Sequence, residues 1–251
     1  MISNKLKGLR ILNTRPSDQA VKLSMLITQH GGYSIERPML AIQATDNTWV
    51  KKIPTLTSIH QAIFISPNAV QYFFKSMAPN AWPASIYTTA IGSATANALT
   101  TNHLQVHQIP KQADSEHLLK LNHFQHIAQQ NILLVKGKGG LSILSDHLSA
   151  HRANLIEVNV YERTAPNIPQ DELDYLWQTD AIDVIIITSQ EAMQNLFTLF
   201  GKKAYAWLCQ KPFFVLSDRL AQIARSYGVT TVIISHHDTL LSTIEAYVYA
   251  R

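Results

Sequence analysis

Two serines occupy matching chemical positions in this sequence. Ser66 follows the apolar run Ala62-Ile63-Phe64-Ile65 and precedes Pro67-Asn68-Ala69-Val70. Ser189 follows Ile185-Ile186-Ile187-Thr188 and precedes Gln190-Glu191-Ala192-Met193. After each serine the apolar residues take helical spacing, as Val70, Phe73, Phe74 and as Met193, Leu196, Phe197. A hydroxyl at the turn from a buried strand into a helix can cap that helix, or help its free N–H groups hold an anion. Nucleophilic catalysis is the weaker reading: G-x-S-x-G is absent, and no His/Asp partner is placed by the sequence.

Other candidates for chemistry are fewer. Lys136-Gly137-Lys138-Gly139-Gly140 follows a strand, opens a helix from Leu141, and has Glu157 twenty residues beyond Gly137. That outline suits a nucleotide loop, but Ser142 stands where the third glycine belongs, which leaves an anion-binding or plain tight turn. His103 and His107, His123 and His126, and His236-His237-Asp238 lack a third ligand nearby and read as solvated surface residues. Cys209, the single cysteine, excludes an internal disulfide and a thiolate zinc cluster, and reads as packing. Tyr161 ends the alternating strand Leu155–Arg163 beside a proline-bearing linker, Thr164–Pro169, where a cleft between domains would fall. Packing is the commoner fate of such a tyrosine.

The elements that position these residues repeat. The serines stand 189 − 66 = 123 residues apart. At similar offsets Arg10-Ile11-Leu12-Asn13-Thr14-Arg15 matches Ile132-Leu133-Leu134-Val135-Lys136-Gly137. Tyr33–Glu36 matches Leu155–Val158, and Ala90-Ile91-Gly92-Ser93-Ala94-Thr95 matches Val215-Leu216-Ser217-Asp218-Arg219-Leu220. Strand and helix alternate in every copy, so the fold class is α/β: two similar doubly wound parallel-sheet domains from a duplicated unit. Further expectations are a helix near 48–56, a short strand over 106–109, a capped helix from Asp114 or Ser115, and a final helix over 238–249.

Composition excludes several functions. The 251 residues are 46% hydrophobic, enough for a substantial core, but only 15% charged. Twenty-one Lys and Arg against 17 Asp and Glu give +4, a mild preference for anionic partners with no basic tract for nucleic acid. No apolar run approaches the ~20 residues that span a bilayer, and no signal-peptide core opens the chain. A cytoplasmic protein is expected.

The ordered motifs resemble uroporphyrinogen-III synthase over almost the whole chain. They run from Thr14-Arg15-Pro16 through Ser66-Pro67-Asn68-Ala69-Val70, Ile91-Gly92-Ser93-Ala94-Thr95-Ala96, Asp114-Ser115-Glu116-His117-Leu118-Leu119, Val160-Tyr161-Glu162-Arg163 and Thr188-Ser189 to Ser217-Asp218-Arg219-Leu220-Ala221. The sequence departs from the family at Ile65, Lys136, Leu141-Ser142 and Ala153-Asn154, where threonine, arginine, Arg-Glu and Gly-Ala are usual. The resemblance implies a discontinuous first domain over 1–37 plus 166–251 and a second over 42–158. Strands at 38–41 and 159–165 would form a two-stranded linker between them.

The resemblance further implies a cyclising hydro-lyase of porphyrin and haem biosynthesis, acting as a monomer without cofactor or metal. Its substrate is hydroxymethylbilane, a linear tetrapyrrole with eight carboxylates. Water is lost, a spiro intermediate forms at the terminal pyrrole, and the macrocycle closes with that ring inverted. Tyr161 would be the general acid, since a phenol ordinarily keeps its proton up to pH ~10. The carboxylates would meet Thr14, Arg15, Ser66, Pro67, Asn68, Gly92, Ser93, Thr95, Lys136, Gly137, Thr188, Ser189, Gln190, Ser217 and Arg219, with the domains closing over the guest. The alternative is a non-catalytic two-domain binder of a small polyanion.

Overall fold

The computed structural model describes residues 5–140 and 142–250. Residues 1–4 and 251 of the expected first domain, and Leu141 at the expected helix start, lie outside the described residues. The chain divides into two compact units, one made of the residues up to Ala41 and from Thr164 onward, the other of Ile42–Arg163. No helix among the described residues is long and apolar enough to cross a membrane.

The first unit contains β1 (Arg10–Asn13), α1 (Ser17–Gln29) and β2 (Tyr33–Glu36). The second contains β3 (Ala41–Ala44, at the boundary), β4 (Gln61–Phe64), α2 (Pro67–Ser76), β5 (Tyr87–Ala90), α3 (Ser93–Thr101), α4 (Ser115–Leu119), β6 (Asn131–Gly137), α5 (Ile143–Ala150) and β7 (Asn154–Thr164). The chain then completes the first unit with α6 (Gln170–Gln178), β8 (Val184–Ile187), α7 (Gln190–Gln210), β9 (Phe213–Val215), α8 (Asp218–Ser226), β10 (Val232–Ile234) and α9 (Leu240–Tyr249). Gly201, at φ +70°, kinks α7.

The first sheet runs β10-β9-β8-β1-β2 and the second β3-β7-β6-β4-β5. Pairing is parallel between β1 and β2, β1 and β8, β8 and β9, and β9 and β10. In the second sheet it is parallel between β4 and β5, β4 and β6, and β6 and β7. Alternate residues of the short strands go to opposite faces, and both faces are covered, which is why the strands read as continuous apolar runs. Leu12, Ile185, Ile187, Phe213 and Val215 meet α6, α7 and α8, while Ile11, Val184, Ile186 and Phe214 meet α1 and α9. Ala62, Phe64, Leu133, Val135 and Val158 face α2 and α3, while Ile63, Ile132 and Leu134 face α4 and α5.

Three expectations change. The helix near 48–56 is broken into two short 3-10 stretches, Asn47–Lys52 and Leu56–Ser58, with Pro54 between them. The strand over 106–109 is reduced to one bridge, Thr89 to Gln108. The segment 38–40 forms no strand, and pairing begins at Ala41.

A buried carboxylate ties the last helix to the first. Glu245, 7% exposed, accepts from His30 at 2.5 Å and Lys5 at 3.2 Å. Burial alone would raise its pKa, but the hydrogen bonds from His30 and Lys5 outweigh it and hold the carboxyl below the usual glutamate value. A depressed folded pKa gives stability that is present above the unfolded value and lost as pH falls through the folded one. Glu245→Gln should therefore cost about 1–3 kcal/mol at pH 7. In urea titrations its deficit against the wild type should shrink steadily towards pH 3, and a constant deficit would refute the linkage.

Candidate functional site

In a doubly wound sheet the strands at which the winding direction reverses leave a crevice at their C-terminal ends. In the first sheet the chain winds from β1 outward to β2, and from β8 the other way through β9 to β10, so the reversal lies between β1 and β8. In the second it lies between β4, followed by β5, and β6, followed by β7. At or just past the ends of those four strands lie Thr14-Arg15, Thr188-Ser189, Ser66 and Gly137.

In the second unit Ser66 and Gly137 each meet Tyr161, from β7. Ser66 is extended, at φ −165°, and caps α2: its Oγ accepts from Ala69 N–H at 3.0 Å. Tyr161 Oη lies 3.1 Å from the same oxygen. Either hydroxyl can donate in this pair; when Ser66 donates, its oxygen still accepting from Ala69, the phenol hydrogen is left for a ligand.

Tyr161 gets there through an irregularity. In β7, Asn159 pairs with Lys136 but Tyr161 pairs with Gly137, so the register slips by one residue. Strict alternation would send Tyr161 to the face opposite Val160. The bulge puts both side chains in the same cluster with Phe64 and Val70. The ring lies directly against Gly137, where a β carbon would approach Cζ to 2.5 Å. Tyr72, from α2, sits on it with ring centroids 6.0 Å apart. Tyr161 is only 4% exposed, so its ring is a packing element and its hydroxyl the part that can do chemistry.

The other expected contacts divide. Ser189 and Ser217 cap α7 and α8 as Ser66 caps α2, accepting from Ala192 N–H at 3.0 Å and Leu220 N–H at 3.3 Å. These caps consume one N–H per helix, and Pro67 supplies none, so Asn68 carries the free N–H at the start of α2. Thr188 is half-buried, and Gln190, Ser93, Pro67, Ser217 and Arg219 are exposed. Arg219 donates to Gln190 at 2.8 Å, so the turns after β8 and β9 touch. Arg15 Nη2 lies 3.0 Å from His237 Nδ1, and partial burial pulls the guanidinium below the ordinary arginine value.

Four of the expected contact residues are buried instead. Thr14 is fully buried and its hydroxyl donates to Ile186 carbonyl at 2.6 Å, which pins the β1 turn to β8 and leaves no surface for a ligand. Thr95 is 2% exposed. Gly92 is buried, and a β carbon there would come within 2.6 Å of Ala113, so this glycine permits close packing. Lys136, 7% exposed, is neutralised by Glu157 at 3.4 Å, which also accepts from Ser145. The ribose-binding role weighed for Glu157 is thus taken by an internal ion pair.

Sequence reasoning missed Tyr72 and His237. Tyr72 lies six residues beyond Ser66, where a helix starting at the elbow brings it back beside the same strand end. His237 follows β10 as Arg15 follows β1, a loop equivalence that only the strand order exposes. Among the described residues no group of three or more His, Cys, Asp or Glu could hold a metal. Burial pushes His123 down to about 4, and its ring packs at a tilt against Tyr87 and Phe124, so it is a packing residue and not a solvated one. Cys209 donates to Tyr227 carbonyl at 3.2 Å, and burial raises its thiol.

Two doubly wound parallel sheets from an exchanged repeat, with serine-capped helix starts at their reversal points and a bulge-aimed tyrosine in one, define a two-unit α/β enzyme class. The family model described as Uroporphyrinogen-III synthase HemD matches residues 21–245, and the chain belongs to that family. It is 29% identical over 226 residues to the uroporphyrinogen-III synthase of Salmonella typhimurium, covering 88% of this chain and 92% of the relative. With the Escherichia coli uroporphyrinogen-III synthase it shares 34% over 149 residues, 59% of this chain and 61% of the relative. The fold is similar to that of the Helicobacter pylori uroporphyrinogen-III synthetase crystal structure, with a TM-score of 0.62 over 97% of this chain and all of that one at 15% identity.

Proposed function

We propose that this chain cyclises hydroxymethylbilane to uroporphyrinogen III, with Tyr161 as the proton donor and the helix starts of both units as carboxylate holders. The observation that carries the residue assignment is the convergence of Tyr161, Ser66 and Gly137 at the reversal point of the second sheet. Three independent local features are needed to bring it about: a bulge, a missing side chain and a helix cap.

Tyr161 Oη gives its proton to the departing hydroxyl. The carbon–oxygen bond breaks, its electron pair leaves with the oxygen as water, and a delocalised cation remains on the pyrrole chain. The phenolate left behind accepts the Ser66 O–H, whose oxygen is held by the first turn of α2, where the helix dipole also favours negative charge. The phenolate then takes back a proton released as the macrocycle closes. Buried packing of the ring against Gly137 and Tyr72 keeps the hydroxyl in one place, which suits a reaction whose difficulty is orienting a flexible chain.

Incubation with freshly generated hydroxymethylbilane and separation of the products tests the reading. Isomer III is expected. Isomer I alone, the uninverted product of spontaneous closure, would reduce the protein to a polyanion binder. Two expectations travel with this reading, a monomer and a cytoplasmic location; the mass in solution checks the first.

A further inference from the structure

The described cations that are drawn in from solvent mostly meet an acid. Asp183 grips Arg10 side-on, taking Nε at 3.0 Å and Nη2 at 2.6 Å. Glu157 answers Lys136, and Asp180 answers Lys211. Arg15 differs. Among the residues whose side chains are described, its Nη2 meets only the His237 ring, its buried Nε has no hydrogen-bond partner, and no carboxylate lies within ion-pair distance. An arginine cannot accept, so His237 Nδ1 is the acceptor and the imidazole is neutral with its hydrogen on Nε2. A half-buried guanidinium facing a neutral ring is incompletely compensated, and an anion is what would complete it.

We propose that Arg15 and His237 form a clamp for one substrate carboxylate at the C-terminal end of the first sheet. The incoming group takes the Nε–Nη2 edge of Arg15, as Asp183 takes that of Arg10, and displaces the imidazole from it. The ring then turns to present Nε2–H to the second carboxylate face, so one histidine fills the place of the ligand when it is absent and binds it when it is present. Arg219, held only by neutral Gln190, keeps the neighbouring turn cationic. The inference rests on the polycarboxylate substrate assigned above.

Two measurements decide it: fluorescence titration with uroporphyrin, the stable oxidised octacarboxylate, and steady-state kinetics with hydroxymethylbilane. Arg15→Ala should weaken uroporphyrin binding about tenfold or more, and His237→Ala about three- to tenfold. The fall in kcat/KM should sit in KM. Arg15→Lys should recover part of the loss, because it keeps the charge without the fork. Should Arg15→Ala fail to fold, Arg15→Lys and His237→Ala carry the decision. Wild-type Kd and KM in those variants, or a loss confined to kcat, would overturn the clamp. A wild type that binds uroporphyrin but makes only isomer I would instead count against the enzyme reading and leave the clamp standing.

Discussion

Tyr161→Phe should lower turnover by about 10² to 10⁴, the range of general acid help, with the fold preserved. The ring is what packs: it lies against Gly137 and Tyr72 in the cluster shared with Val160. Phenylalanine keeps that ring and removes only the oxygen 3.1 Å from Ser66. The Ser66 oxygen keeps Ala69 N–H, and because Ser66 is only half-buried its hydrogen can turn to water. Stability should therefore change by less than about 1.5 kcal/mol. Single-turnover measurements with hydroxymethylbilane, beside urea midpoints, separate the two effects. Turnover within a few-fold of the wild type would take Tyr161 out of the proton-transfer role, because water or the substrate itself would then be supplying the proton.

Gly137→Ala should damage the same step from the opposite side. A β carbon at 137 would stand 2.5 Å from Cζ and 2.6 Å from Cε2 of Tyr161, closer than such atoms approach. Gly137 is flanked by a register slip and bonded through the strand pair, so the ring must move rather than the backbone. Tilting the ring carries Oη away from Ser66. Overpacking of this kind costs about 1–3 kcal/mol in stability. Turnover should fall towards that of Tyr161→Phe. The decisive readout is the double variant: if alanine acts only by displacing the phenol, Gly137→Ala should cost far less turnover when combined with Tyr161→Phe than it does in the wild type. Independent, multiplying losses would mean that Gly137 serves some other purpose, such as a backbone contact to substrate.

The site also shows why serines at helix starts are ambiguous in a sequence. Ser66, Ser189 and Ser217 all accept from the N–H three residues on. Capping alone explains each of them, and only Ser66 has a second partner of chemical interest. Thr14 shows the reverse: a hydroxyl in the right loop whose oxygen is turned inward to Ile186. Hydroxyl orientation depends on one rotamer, and no spacing rule encodes it.

Much of the architecture was determined by the sequence alone. Four-residue apolar runs flanked by helical spacing read as strands covered on both faces, and the 123-residue offset between Ser66 and Ser189 makes β4 and β8 counterparts in the repeat. Tertiary structure decided how the copies combine. Written as β9-β8-β1-β2 and β5-β4-β6-β7, the two sheets share one order, and each joins the front half of one repeat to the back half of the other. Backbone hydrogen bonds between short parallel strands are the same whichever copy supplies the partner, so no local pattern could dictate the exchange. It follows from which apolar faces fit together across the whole unit, and the same is true of the bulge that turns Tyr161. Periodicity says that a strand alternates. Where it stops alternating is set by the neighbour it lies against.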